Sequence, residues 1–156
     1  MTPAIKTLEK QGIAHTVHRY LVDESDERTY GEAVAAAMGA EPATVFKTLV
    51  AQLTGGELVV AVVPVTGTLD LGRLAAVSEA KSAEMAKPSD AEKATGYVTG
   101  GISPFGQRKR LRTFVDASAQ RHQTVYVSAG RRGLQVQVMP HDLVLVTGAT
   151  VAELGR

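Results

Sequence analysis

Two apolar runs joined by a double glycine constrain this chain more than any other stretch. Val45 to Leu53 mixes apolar and polar residues with β-branched positions, Gly55-Gly56 supplies a tight reversal, and Glu57 to Val65 follows as a second run. The spacing predicts a hairpin at the centre of a sheet. Its second strand, LVVAVVPV, is apolar at almost every position, so it is expected to be covered on both faces.

The remaining elements are expected around that hairpin. Thr2-Pro3 caps a short amphipathic helix with Ile5 and Leu8 on one face, stopped by Gly12. Ile13 to Leu21 reads as a strand carrying His15, His18 and Tyr20, and Asp23 to Arg28 as a charged loop. Thr29 caps a helix from Tyr30 to Met38 that ends at Gly39. Thr68 and Asp70 open a helix through Ala76, a short segment passes Lys81-Ser82-Ala83, and Pro88 opens a helix that Gly96 ends. Arg112–Asp116, Thr124–Ser128 and Gly133–Val138 read as strands, the last two joined by a turn at Ala129–Arg132, and Pro140 starts a closing helix. Such irregular alternation points to an α/β (α+β) fold with a mixed sheet. With 156 residues, 44% of them hydrophobic but only 4% aromatic, the chain suits one domain over 1–156 with an aliphatic core.

Several chemistries are excluded. The absence of cysteine removes disulfides, thiolate metal sites and a cysteine nucleophile. There is no G-x-S-x-G elbow and no G-x-x-x-x-G-K-[ST] phosphate loop. His15, His18, His122 and His141 lack ligand spacing, so neither a metal nor another cofactor is expected. No apolar run reaches ~18 residues, which argues against membrane partners and for a cytoplasmic location. Charge is uneven: nine Lys/Arg against thirteen Asp/Glu before Gly96, then eight against three from Gly96 onward. A polyanion partner is expected on the positive half.

That half contains Thr95 to Gly106, with four glycines in twelve residues, followed by Arg108, Lys109, Arg110 and Arg112. Glycines open positive φ and let a ligand approach main-chain N–H groups, while the cations attract phosphate. Lys47 stands out separately. In period two it shares a strand face with Val45, Leu49, Ala51 and Leu53, so its ammonium either lines a polar cavity or snorkels out at the strand end.

These segments together resemble a known family. TGYVTGGISPFGQRKRL (95–111), with TPAIKTLEKQGI (2–13), VFKTLV (45–50), VPVTGTLDL (63–71) and YVSAGRRGL (126–134), is similar to the YbaK-type Cys-tRNA(Pro) deacylases of the YbaK/EbsC family of prolyl-tRNA synthetase-associated domains. The resemblance implies a single domain with a curved, barrel-like mixed sheet surrounded by helices. It also implies trans-editing of aminoacyl-tRNA, especially tRNA(Pro), with prolyl-tRNA synthetase as a partner. The misattached cysteine's own thiol would attack its ester, so the protein needs only a pocket and oxyanion donors. On that basis Lys47, Gly100 and Gly101 are the expected catalytic residues. Tyr20, Thr48, Ile102, Ser103, Ser128, Gly130 and Gln135 are the expected substrate contacts. Arg108, Lys109, Arg110, Arg112, Arg131 and Arg132 are the expected tRNA contacts. Gln135 departs from a relative's acid in G-L-D, which bears on how the aminoacyl ammonium is held. Two alternatives stay open: a deacylase of another substrate such as Ala-tRNA(Pro), and a non-catalytic RNA- or synthetase-binding module.

Overall fold

The hairpin forms where its pattern places it. In the computed structural model, which describes residues 1–21, 25 and 28–156, β2 (Phe46–Leu53) and β3 (Leu58–Pro64) pair antiparallel with Phe46 opposite Pro64 and Gln52 opposite Leu58. β3 is the middle strand of a five-stranded mixed sheet ordered β4 (Ala83–Met85), β2, β3, β5 (Arg112–Asp116), β8 (Thr150–Ala152). β5 runs parallel to both β3 and β8. Val59, Val60, Ala61, Val62 and Val63 are all fully buried, because both faces are covered. Val60 and Val62 join Phe46, Val50 and Val115 on one side, while Val59, Ala61 and Val63 pack with Ala51, Leu53, Phe114, Leu74 and Leu154 on the other.

A second sheet is antiparallel, in the order β1 (Thr16–Arg19), β7 (Leu134–Val138), β6 (Val125–Arg131). This corrects the expectation of one barrel-like sheet: there are two, and neither closes on itself. One isolated bridge, Val45 with Tyr126, links them, and Phe46, Val50, Val60 and Val62 of the first share an apolar core with Val125, Val127, Val136 and Val138 of the second. The outer edge of β2 meets β4 from Ala51 to Leu53, and Ala86 N reaches the Val50 carbonyl, leaving Phe46 to Leu49 without a ladder partner on that side. A wedge opens there between the two sheets.

The helices obey their end signals. In α1 (Pro3–Lys10) the Thr2 hydroxyl accepts from Ile5 N at 3.2 Å and donates to the Ala129 carbonyl at 2.5 Å, tying the helix to β6. α2 (Tyr30–Met38) is capped by Thr29 and ends at Gly39 with φ 68°; α3 (Leu71–Val77) is capped by Asp70. α4 (Pro88–Thr95) and α5 (Pro140–Thr147) both start on proline and stop at left-handed glycines, Gly96 and Gly148. The N-terminal strand is shorter than its sequence suggests, since register with β7 runs only from Thr16 to Arg19. The charged segment from Asp23 to Arg28 lies largely outside the described residues.

Candidate active site

The wedge beside β2 is a cavity of about 760 Å³, within the size range of small-molecule sites. Strand β2 supplies Lys47 and Thr48, the glycine loop supplies Gly100 and Ile102, and the second sheet supplies Ser128 and Gln135. Six of the sequence-derived candidates are therefore brought together from three separate stretches. Ser128 and Gln135 stand directly opposite each other in the β6–β7 ladder, which is why one wall receives both.

Lys47 is half-buried, and its Nζ donates to the Gly67 carbonyl at 3.0 Å. That contact fixes the amine against the Thr66-Gly67-Thr68 turn, which itself lines the cavity. Two buried polar atoms on the lining have no partner: Thr48 Oγ1 and Gln135 Oε1. Gln135 is 7% exposed, and its Nε2 makes only a long 3.5 Å contact with the Tyr20 hydroxyl. An unpartnered buried polar atom costs about 1–3 kcal/mol, which a ligand donor or acceptor would recover. Tyr20 does not line the cavity; it is buried, and its hydroxyl is the acceptor of that long contact.

The glycine loop is held from beneath. Tyr97 is buried, its hydroxyl donates to the Phe105 carbonyl at 2.5 Å, and burial pushes its phenol up to about 12. Thr99 N donates to Glu92 Oε2 at 2.8 Å, and that backbone bond, the largest influence on Glu92, holds its carboxyl below the usual range. Gly101 N donates to the Val98 carbonyl at 2.9 Å. Its N–H is thus engaged in a turn, whereas the resemblance pairs Gly100 with Gly101 as oxyanion donors. Of the loop residues on the lining, Gly100 and Ile102 have N–H groups without a protein acceptor among the described residues, whereas Thr99 N is taken by Glu92. Gly100, not Gly101, has positive φ, at 94°. Gly101 is glycine for another reason: a Cβ there would lie 2.7 Å from Arg131 Cα, so the loop packs directly on the β6–β7 turn.

Ser103 and Gly130 fall outside the cavity. Ser103 is fully buried and its Oγ accepts from Phe105 N at 3.2 Å, a turn-stabilising role. A Cβ on Gly130 would meet the Tyr97 ring at 2.9 Å and Thr2 at 3.0 Å, so this position is small to let α1 and the loop close on β6.

The basic run divides. Arg112 forms a two-pronged pair with Glu57 at 2.8 and 2.9 Å and also donates to the Ser78 carbonyl at 3.1 Å. It cross-links the start of β5 to the β2–β3 turn, whereas the resemblance makes it a tRNA contact. Arg108 N and Lys109 N donate to the Thr95 and Ala94 carbonyls at the end of α4, and the Arg110 guanidinium lies against Gly148 at the end of α5. Helix C-termini favour such cations. None of the four lines the cavity. Arg131 and Arg132 are exposed at the turn against which Gly101 packs, and the Arg132 guanidinium stacks 4.4 Å over the Tyr30 ring, itself part of the lining.

Sequence reasoning missed the Thr66–Thr68 turn, Tyr30, Glu32, Met85 and Arg156 as lining residues. The turn was legible as the continuation of β3 opposite Lys47; the others come from elements whose docking only the fold defines. Glu32 is the one acid on the lining among the described residues, and it accepts from the Thr29 cap at 3.1 Å. Among the described residues, neither histidine nor aspartate lines the cavity, no three His, Asp or Glu side chains group so as to hold a metal ion, and no helix is long and apolar enough to cross a membrane.

Among the described residues the lining holds no Ser–His pair and no group of metal ligands. A family model described as the aminoacyl-tRNA editing domain matches residues 24–145. EbsC of Enterococcus faecalis, which is named for deacylation of Cys-tRNA(Pro) and Cys-tRNA(Cys), is 35% identical over 98% of this chain and 92% of its own. A solved structure described as a trans-editing enzyme for prolyl-tRNA synthetase superposes with a TM-score of 0.84 at 25% identity, over 100% of this chain and 99% of the other. A scaffold protein used for epitope backbone grafting shares the fold, with a TM-score of 0.86 at 24% identity over 99% and 95%. With the family model covering most of its length, and the cavity built from the segments that carry the resemblance, the chain belongs to the aminoacyl-tRNA editing domain family.

Proposed function

We propose that residues 1–156 act as one trans-editing deacylase that removes cysteine misattached to tRNA(Pro). The observation that carries this reading is the pair of unpartnered buried atoms, Thr48 Oγ1 and Gln135 Oε1, in a cavity that also holds Lys47. Both can accept from an ammonium, as an aminoacyl ester presents. Gln135 is neutral, so it holds that ammonium by hydrogen bonding rather than by charge.

With the amino group held there, the cysteine thiol is folded towards its own ester carbonyl. Sulfur bonds to the carbonyl carbon, negative charge develops on the carbonyl oxygen, and the carbon–oxygen bond to the ribose breaks. The thiol proton ends on the ribose hydroxyl, and the amino acid leaves as a cyclic thiolactone. The protein's part is proximity and charge stabilisation. Gly100 and Ile102 N–H groups are the oxyanion donors, and Lys47, fixed by Gly67, is the positioning cation. Arg131 and Arg132 take phosphates of the tRNA beside the mouth.

The test is a deacylation panel with Cys-, Ala- and Pro-charged tRNA(Pro). Rapid release of cysteine with alanine and proline retained is the expected result. Equal release of alanine would show that water can attack, and release of none would leave a binding module in place of an enzyme.

A further inference from the structure

A second cavity of about 430 Å³ adjoins the first, and the two share Thr66, Gly67, Thr68 and Arg156. The wall between them is thin. Phe46 lines the first and His122 the second, with their rings edge-on at 6.4 Å. The Gly67 carbonyl in that wall is the acceptor of Lys47. Whatever binds across Thr66–Thr68 is thus registered against the catalytic amine.

The second cavity carries three arginines, Arg73, Arg121 and Arg156. Asp70 stands 3.8 Å from Arg73 Nε and 3.5 Å from Arg156 Nε, and Arg73 Nη1 also donates to the Gly155 carbonyl at 2.9 Å. Arg121, the exposed last residue of the 3-10 turn Ala117–Arg121, has no hydrogen bond or carboxylate within reach among the described residues. The acids on the lining are Asp116 and Glu153. Asp116 is turned inward: it accepts from Ser118 N and Oγ and from Leu154 N and Gly155 N. Burial alone would raise its pKa, yet those bonds hold it below the usual carboxylate range. Glu153 is exposed, so the lining sets three guanidiniums against two carboxylates, and Arg121 is the one of the three with no protein partner among the described residues.

We propose that this cavity seats a phosphodiester of the single-stranded acceptor end, next to the nucleotide whose ester occupies the first cavity. The inference rests on the deacylase reading for the identity of that ester. The 3′ strand crosses Thr66–Thr68, and Arg121 with Arg156 takes the phosphate as a forked donor. This accounts for a cationic cavity beside the site when the sequence's densest basic run lies away from it.

The test uses the full chain and an uncharged RNA minihelix, with its 3′ CCA or trimmed of it. Arg121→Gln should weaken binding of the CCA minihelix roughly three- to tenfold and lower the slope of log affinity against log salt by about 0.7. Arg121→Lys should restore part of the loss, and the trimmed RNA should bind both proteins alike. Equal affinity of wild type and Arg121→Gln for the CCA minihelix would overturn the proposal, as would an equal loss for the trimmed RNA. Inorganic phosphate supplies the remaining arm: if it stabilises wild type but not Arg121→Gln while minihelix binding is indifferent to Arg121, the cavity is a free-phosphate site and the proposal fails. Charged minihelix separates this from the deacylase reading. Arg121-dependent binding without turnover would leave the phosphate seat standing and remove the enzyme; turnover with a silent Arg121 would do the reverse.

Discussion

Gln107–Arg112 and Arg131–Arg132 are the two most basic stretches of the chain, and they have opposite fates. The first is denser in charge, yet its members meet the ends of α4 and α5 and the Glu57 carboxylate. The second has only two arginines, but it forms the turn on which Gly101 packs and places Arg132 on the Tyr30 ring at the cavity. Proximity to a site is decided by strand register and helix ends, which charge density along the chain does not encode.

The strongest way to break that contrast is to separate the glycine loop from the turn. Gly101→Val would drive side-chain atoms into the Arg131 backbone, a 2.7 Å approach already at Cβ. Overpacking of this kind costs about 1–3 kcal/mol or more, so melting temperature and deacylation should fall together. Gly100→Ala meets no atom within 4 Å and bears only the strain of φ 94°, so calorimetry should find a smaller loss than for Gly101→Val. Equal losses would remove the packing role assigned to Gly101.

Lys47→Ala is next in size and tests the site without the turn. Loss of a preorganised charge should lower single-turnover deacylation by about 100-fold or more, with the melting temperature close to wild type, because the amine's one hydrogen bond is to the half-buried Gly67 turn. Retained activity would return Lys47 to the role of a strand-end lysine.

Replacing Arg131 and Arg132 together by Gln sharpens the comparison directly. KM should rise and the salt slope of tRNA affinity should fall by about 1–2, with saturated turnover unchanged. Arg112→Gln should do neither. It should instead cost under about 1 kcal/mol of stability, since the pair with Glu57 is exposed. Its pH dependence has a definite sign. The Arg112 hydrogen bond is the largest influence lowering the Glu57 pKa beneath 4.5, so the pair's contribution is present above pH 4.5 and disappears as pH falls through the lowered value. Denaturant melts of wild type and Arg112→Gln should therefore differ at neutral pH and converge in acid.

The legible parts of this fold were those written in local periodicity. The β2–β3 hairpin, the Thr2, Thr29 and Asp70 caps and the terminating Gly39 and Gly96 all follow from residues within a few positions of each other. β4 and β8 were not legible, because three residues carry no alternation and their pairing partners are distant in the chain. The division into two sheets depends on where β2 loses its edge partner, again a long-range matter. In the site, Lys47, Thr48, Gly100, Ile102, Ser128 and Gln135 were found through motifs that resemble a family, and the cavity collects all six. Ser103, Gly130 and Gly101 belong to the same motifs for packing and turn geometry, which motif matching alone does not separate from contact with substrate.

On the proposed mechanism the cavity folds a substrate whose own thiol performs the attack. The deciding measurement is single-turnover release of tRNA(Pro) from its cysteinyl ester and from the S-methylcysteinyl ester, at saturating protein and with the released product identified by mass. Fast release of the free-thiol ester alone, with the cyclic thiolactone as product, is the expected result. Comparable release of the methylated ester, with free amino acid as product, would contradict it.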